Sequence, residues 1–141
     1  MLFRTVPKTG DSLSILGFGF MRLPLKKGGG IDEDRAIRQL RSAVDNGVNY
    51  VDTAPAYHFG RSEKILARAL SDGYRDKVRI ATKLPPWSVH TRDDMSRLLS
   101  SPVTTLGTEG IDCYLPPSLT KASWEKLKRL GVLDFLDTEK K

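Results

Sequence analysis

The chain has 141 residues, 39% of them hydrophobic and 28% charged, which is enough for one domain with a real core and close to an ordinary soluble composition. No apolar run approaches the roughly 20 residues of a membrane span, and the start Met1-Leu2-Phe3-Arg4-Thr5 has no apolar stretch of the signal-peptide kind. The formal charge of +6 comes from scattered lysines and arginines that neighbour acids, as in Asp32-Glu33-Asp34-Arg35 and Arg61-Ser62-Glu63-Lys64. With no helix-turn-helix or zinc-knuckle pattern beside it, this charge predicts a solvated mixed surface and no nucleic-acid partner. The lone Cys113 excludes an intrachain disulfide and an all-cysteine iron–sulfur site. A free thiol within an apolar strand suits a reducing, cytoplasmic setting and reads as inert packing.

In chain order, residues 2–6 and 12–14 read as a short β-hairpin turned by Lys8-Thr9-Gly10-Asp11. Residues 14–19 read as a strand. Residues 34–46 read as a helix with Ala36, Ile37, Leu40, Ala43 and Val44 on one face, stopped by Gly47. A second strand, 48–52, ends at Asp52. Ser62 is expected to cap a helix reaching about Leu70. A third strand, 78–83, ends at Lys83, and Thr91 is expected to cap a helix starting at Arg92. A fourth strand, 111–115, runs into Pro116-Pro117. A last helix starts near Lys121, carries Trp124, Leu127 and Leu130 towards the core, and is interrupted by Gly131.

The strand ends at about 19, 52, 83 and 115 are separated by 33, 31 and 32 residues. A constant βα unit of this size predicts a parallel, right-handed repeat. A doubly wound open sheet is the rival architecture, lowered by the lack of a G-x-G-x-x-G run after the first strand. Gly28-Gly29-Gly30 follows Lys26-Lys27 without leading out of a strand, so it reads as a loop. Asp52 and Lys83 would share the carboxyl end of neighbouring parallel strands with Tyr57 in the next loop, where α/β folds place their chemistry.

These residues resemble the aldo-keto reductase family. The resemblance rests on Leu16-Gly17-Phe18-Gly19-Phe20-Met21-Arg22-Leu23-Pro24, on Ala43-Val44-Asp45-Asn46-Gly47-Val48-Asn49-Tyr50-Val51-Asp52-Thr53-Ala54, on Tyr57 with Gly60-Arg61-Ser62-Glu63, on Ala81-Thr82-Lys83-Leu84-Pro85, and on Leu106-Gly107-Thr108 before Ile111-Asp112. The look is nearest to the bacterial and archaeal branch that often carries a cysteine cluster in a C-terminal extension, which has no counterpart in this sequence. The resemblance implies an α/β fold, half of a (β/α)8 barrel in four βα units after the hairpin, as one incomplete domain over 1–141. It implies reduction of small aldehydes or ketones with NADP(H) or NAD(H), and no metal. Tyr57 would be the proton donor, Lys83 would ease its ionisation and Asp52 would hold Lys83, while Phe20, Met21 and Asp52 would meet the cofactor.

Three departures stand beside the resemblance. The family's histidine at the end of strand four falls on Pro117, which offers neither a side-chain hydrogen bond nor a backbone N–H. Pro102 stands where the family shows a continuous helix, at about 3 kcal/mol relative to alanine. A complete barrel takes roughly 250 residues. His58 and His90, in loops at the same end, are expected to be solvated rather than replacements for the histidine. Trp87 reads equally as a substrate mouth or as loop packing, and Arg22 with Lys26-Lys27, which could meet a cofactor phosphate, reads rather as exposed loop charge. Two other function classes stay open: a non-catalytic half-barrel that associates with itself or a partner chain, and a truncated or degenerate gene product. Val48, Tyr50, Val51, Val78, Ile80, Tyr114 and Leu115 are expected to supply the strand surface such a half-barrel leaves bare.

Overall fold

The computed structural model describes residues 1–139. Strands β1 (Phe3–Thr5) and β2 (Ser12–Ser14) form the expected antiparallel hairpin. The expected first strand of the repeat shrinks to β3 (Phe18–Gly19), because Ser14 is claimed by the hairpin and Ile15 to Gly17 turn the corner between the two sheets. Three more strands follow: β4 (Tyr50–Asp52), β5 (Arg79–Lys83) and β6 (Cys113–Leu115). They pair in parallel in the order β3-β4-β5-β6.

Consecutive parallel neighbours require every crossover to travel the same way. Since such crossovers are right-handed, all the connecting helices lie on one face of the sheet. Helices α1 (Glu33–Asp45), α2 (Arg61–Ala69) and α3 (Arg92–Leu106) do so, with α1 packed on α2 and α2 on α3. This is the arrangement of a barrel wall, and it removes the doubly wound alternative, which needs helices on both faces. Among the described residues these helices leave the other face of the sheet open.

Burial corrects the expectation for that bare face. Val48, Val51, Val78 and Ile80 are buried, with Val51 and Ile80 under the helices in a core with Leu40, Leu66 and Ala69. Strand alternation then turns Tyr50, Asp52, Ala81, Lys83, Cys113 and Leu115 to the open side. Tyr114 sits on the helix side with Val51 and Ile80, whereas Tyr50 and Leu115 are on the open face. Tyr50 lies on it beside Gly17, where a Cβ would stand 3.2 Å from the ring, and desolvation pushes its phenol up to about 12. Cys113 is therefore a half-buried residue of the open face, not core packing, and burial pushes its thiol up.

A second core gathers Leu84, Val89, Met95, Leu127, Val132 and Phe135 between α3, α4 (Lys121–Arg129) and α5 (Val132–Thr138). Trp124 is partly buried against it. Gly131, at φ +79°, separates α4 from α5 as expected.

Pro102 does not break α3. The helix runs 15 residues through it, capped at one end by Thr91 and Asp94 in a reciprocal box and closed at the other by Gly107. Burial of Met95, Pro102 and Leu106 offsets the lost N–H, each large apolar side chain contributing about 1.5–3 kcal/mol. Pro102→Ala is expected to stabilise the fold by about 1–3 kcal/mol, read as a rise in the thermal midpoint.

The hairpin closes the opposite end of the sheet. Asn49 accepts from the Ser14 N–H at 2.7 Å and donates to the Ser12 carbonyl at 2.8 Å. Asp112 accepts from the Ile80 N–H and from Arg75, each at 2.9 Å, and Arg79 links it to Asp11 of the hairpin turn. These ties leave the carboxyl ends of β3 to β6 free for a site.

Candidate functional site

Asp52 is the last residue of β4 and Lys83 the last of β5, and the alternation that buries Val51 and Ile80 turns both to the open face. The Lys83 ammonium is ion-paired with Asp52 Oδ2. Their side chains are 12% and 33% exposed, so the pair is partly withdrawn from water and screened less than a surface pair.

Tyr57 lies five residues beyond Asp52 at the start of a 3₁₀ turn, Tyr57–Gly60. Desolvation first, and then the Asp52 charge, push its phenol up, so it stays protonated through the neutral range, as a proton donor must. Among the described residues no hydrogen bond joins its hydroxyl to Lys83. The structure thus pairs two of the three expected residues and leaves the third beside them.

The loop that carries Tyr57 is held under strain. His58 and Phe59 take φ of +51° and +55°, a region that side chains with a Cβ rarely adopt. His58 Nε2 accepts the Leu23 N–H at 3.0 Å and pins this loop to the one after β3. This corrects the expectation of a solvated His58: its Nε2 is spent on the backbone. His90 is exposed, and its backbone N–H bonds Asp94.

Phe20 does not present itself to a cofactor. It is fully buried, with its ring 5.9 Å from that of Phe18, so its place is beneath the site. Met21, 54% exposed, is the side chain available at the end of β3. Trp87, in the loop after β5, is 59% exposed, and Arg22, Lys26 and Lys27 are exposed. Pro116 and Pro117 follow Leu115 directly. Pairing continues to the Leu84 N–H on the Leu115 carbonyl and β6 stops there, as the two prolines predict.

The expected Ser62 cap is also corrected. Gly60, at φ +83°, starts α2, and Ser62 lies inside the helix with its hydroxyl turned to the strands. Glu63 beside it is 5% exposed, and desolvation pushes its carboxyl up. Sequence reasoning gave neither residue a place in the site.

A raised carboxyl makes the folded state bind more protons than the unfolded chain just above pH 4.5. That contribution is complete below the unfolded value and is lost as pH rises through the folded one. Glu63→Gln, which carries no charge to desolvate, is therefore expected to gain stability relative to the parent chain as pH climbs from 4 to 8. Parallel thermal melts across that range check it, and a constant difference would contradict the burial of a charged carboxylate.

Fold and site together define part of a parallel βα barrel with a carboxylate–ammonium pair at adjoining strand ends. The chain belongs to the aldo/keto reductase family, whose profile matches residues 15–122. It is 40% identical over 84 residues to the aldo-keto reductase YhdN of Bacillus subtilis, a match covering 59% of this chain and 25% of that protein. It is 32% identical over 118 residues to the methylglyoxal reductase YeaE of Escherichia coli, covering 73% of this chain and 41% of that one. The crystal structure of an aldo-keto reductase from Klebsiella pneumoniae in complex with NADPH superposes with a TM-score of 0.68 at 25% identity, over 93% of this chain and 47% of that chain. The chain thus spans less than half the length of these relatives.

Proposed function

We propose that this chain carries the proton-donating half of a nicotinamide-dependent carbonyl reductase acting on small aldehydes and ketones. The observation that carries the reading is the Asp52–Lys83 pair at adjoining strand ends, with Tyr57 opening the turn that follows β4. The Klebsiella relative's complex with NADPH and the Escherichia coli relative's designation as a methylglyoxal reductase support it.

Bound NADP(H) or NAD(H) would supply the hydride to the carbonyl carbon. Tyr57 then gives its proton to the carbonyl oxygen, and the Lys83 ammonium favours the phenolate left behind. Asp52 holds Lys83 in place through their ion pair. Met21 and Asp52 would hold the nicotinamide end. Glu33 and Asp34 open α1, and Asp93 and Asp94 open α3, so neither of these helix starts offers a cradle for the phosphates. In this reading most of the dinucleotide contacts would come from the half of the barrel that this chain does not span. A cytoplasmic location and the absence of a metal from the chemistry belong to the same reading.

The test is to join the chain to the remaining half of the Klebsiella pneumoniae enzyme and follow NADPH and NADH oxidation with a panel that includes methylglyoxal. Turnover of small carbonyls is expected. Oxidation of neither cofactor with any carbonyl would sink the reading.

One observation favours a second reading, a half-barrel that acts by association. The edges of β3 and β6 are unpaired within the sheet, and Ile15, Leu16 and Leu115 are exposed at 56%, 59% and 42%. In that reading two copies meet through the open edges as a homodimer.

A further inference from the structure

The first turn of α2 touches three strand ends at once. Ser62 Oγ donates to the Phe20 carbonyl at 3.0 Å and lies 2.9 Å from Thr53 Oγ1. Glu63 Oε1 accepts from Thr82 Oγ1 at 2.8 Å. Ser62, Thr53, Thr82 and Phe20 are all fully buried, so no water competes for these bonds. Thr53 follows Asp52 and Thr82 precedes Lys83. Alternation sends the two threonine side chains to the helix side and the two charged side chains to the open side.

We propose that Ser62 and Glu63 are positioning residues that brace the ends of β3, β4 and β5 from behind and so set the geometry of the Asp52–Lys83 pair. Each hydroxyl bond fixes the rotation of the peptide that carries the neighbouring charged residue. Consecutive residues of one rigid helix anchor both, so the two strand ends move together or not at all. A purely packing role is poorly served by a carboxylate, which loses its hydration on burial where an apolar side chain loses nothing. Directed acceptance from Thr82 is what the carboxylate adds. The use of the brace in catalysis rests on the reading of Asp52 and Lys83 given above, but the brace itself is tested on Lys83 alone.

The experiment is competitive acetylation of the whole chain with limiting acetic anhydride, read by mass spectrometry, with Lys83 compared against the exposed Lys8 and Lys27. Glu63→Ala and Thr82→Val are expected to raise the relative labelling of Lys83 about fivefold, the population change that a lost hydrogen bond of roughly 1 kcal/mol produces. Glu63→Gln keeps a carbonyl acceptor for Thr82 and is expected to stay within about twofold of the parent. If Glu63→Ala unfolds the chain, other buried groups become reactive with Lys83, and Thr82→Val, close to isosteric, decides. Unchanged Lys83 labelling in a folded Thr82→Val variant overturns the proposal, as does a Glu63→Gln variant as reactive as Glu63→Ala. Carbonyl reduction by the joined enzyme that ignores Tyr57 would leave the labelling result standing, so the two failures are separable.

Discussion

By itself the 141-residue chain is expected to oxidise neither NADPH nor NADH with any small aldehyde, ketone or quinone. Three features point the same way. Pro117 stands where the resemblance puts a carbonyl-orienting histidine, and loss of one such hydrogen-bond donor costs about 10²–10³ in rate. The Tyr57 hydroxyl, in the structure, makes no hydrogen bond to Lys83. The helix starts at α1 and α3 carry acids rather than a phosphate cradle, which leaves Met21 and Asp52 as the main expected holds on the dinucleotide. Two contacts do not outweigh the several kcal/mol of lost freedom on binding, and a dissociation constant of about 1 mM or weaker is expected by calorimetric titration. A micromolar constant, or turnover that disappears on Tyr57→Phe in the lone chain, would refute this.

The second large effect is association. Four parallel strands with helices on one face leave an open face and two edges. Each Å² of apolar surface left in water forfeits about 25 cal/mol, against a net domain stability of only 5–15 kcal/mol. Pro116 and Pro117 close off the continuation of β6, so the edge at β3, preceded by exposed Ile15 and Leu16, is the expected contact. Light scattering after size exclusion is expected to give at least twice the 15.7 kDa of one chain. Leu16→Lys, which places a charge at that edge, is expected to shift the mass towards a monomer and lower the melting midpoint. A sharp monomer peak for the parent with a cooperative melt would contradict the account.

Much of the site's position was legible in the sequence because apolar runs ending in Asp52 and Lys83 can only mark parallel strand ends when they recur every 31 to 33 residues. The caps at Thr91 and the break at Gly131 were legible for the same local reason. What failed was partner choice. A serine before an apolar helix reads the same whether its hydroxyl turns to its own helix or, as with Ser62, to a neighbouring strand. A period of two separates Val51 from Tyr50 without saying which side meets the helices, so Val48, Val51, Val78 and Ile80 were placed on the bare face when they are core. His58 is spent on the Leu23 N–H, 35 residues away, a contact that no local pattern carries. Pro102 is tolerated because tertiary burial outweighs propensity within α3.

The central claim is that Asp52, Lys83 and Tyr57 form a working proton-transfer site once the rest of the barrel is present. The most direct measurement is kcat for carbonyl reduction by the chain joined to the remaining half of the Klebsiella enzyme, beside its Tyr57→Phe variant at the same pH. A fall of about 10²–10⁴ in kcat for Tyr57→Phe, with the KM for NADPH little changed, is the predicted result. Equal kcat values for the two proteins would contradict the assignment of Tyr57 and, with it, the functional reading of the Asp52–Lys83 pair.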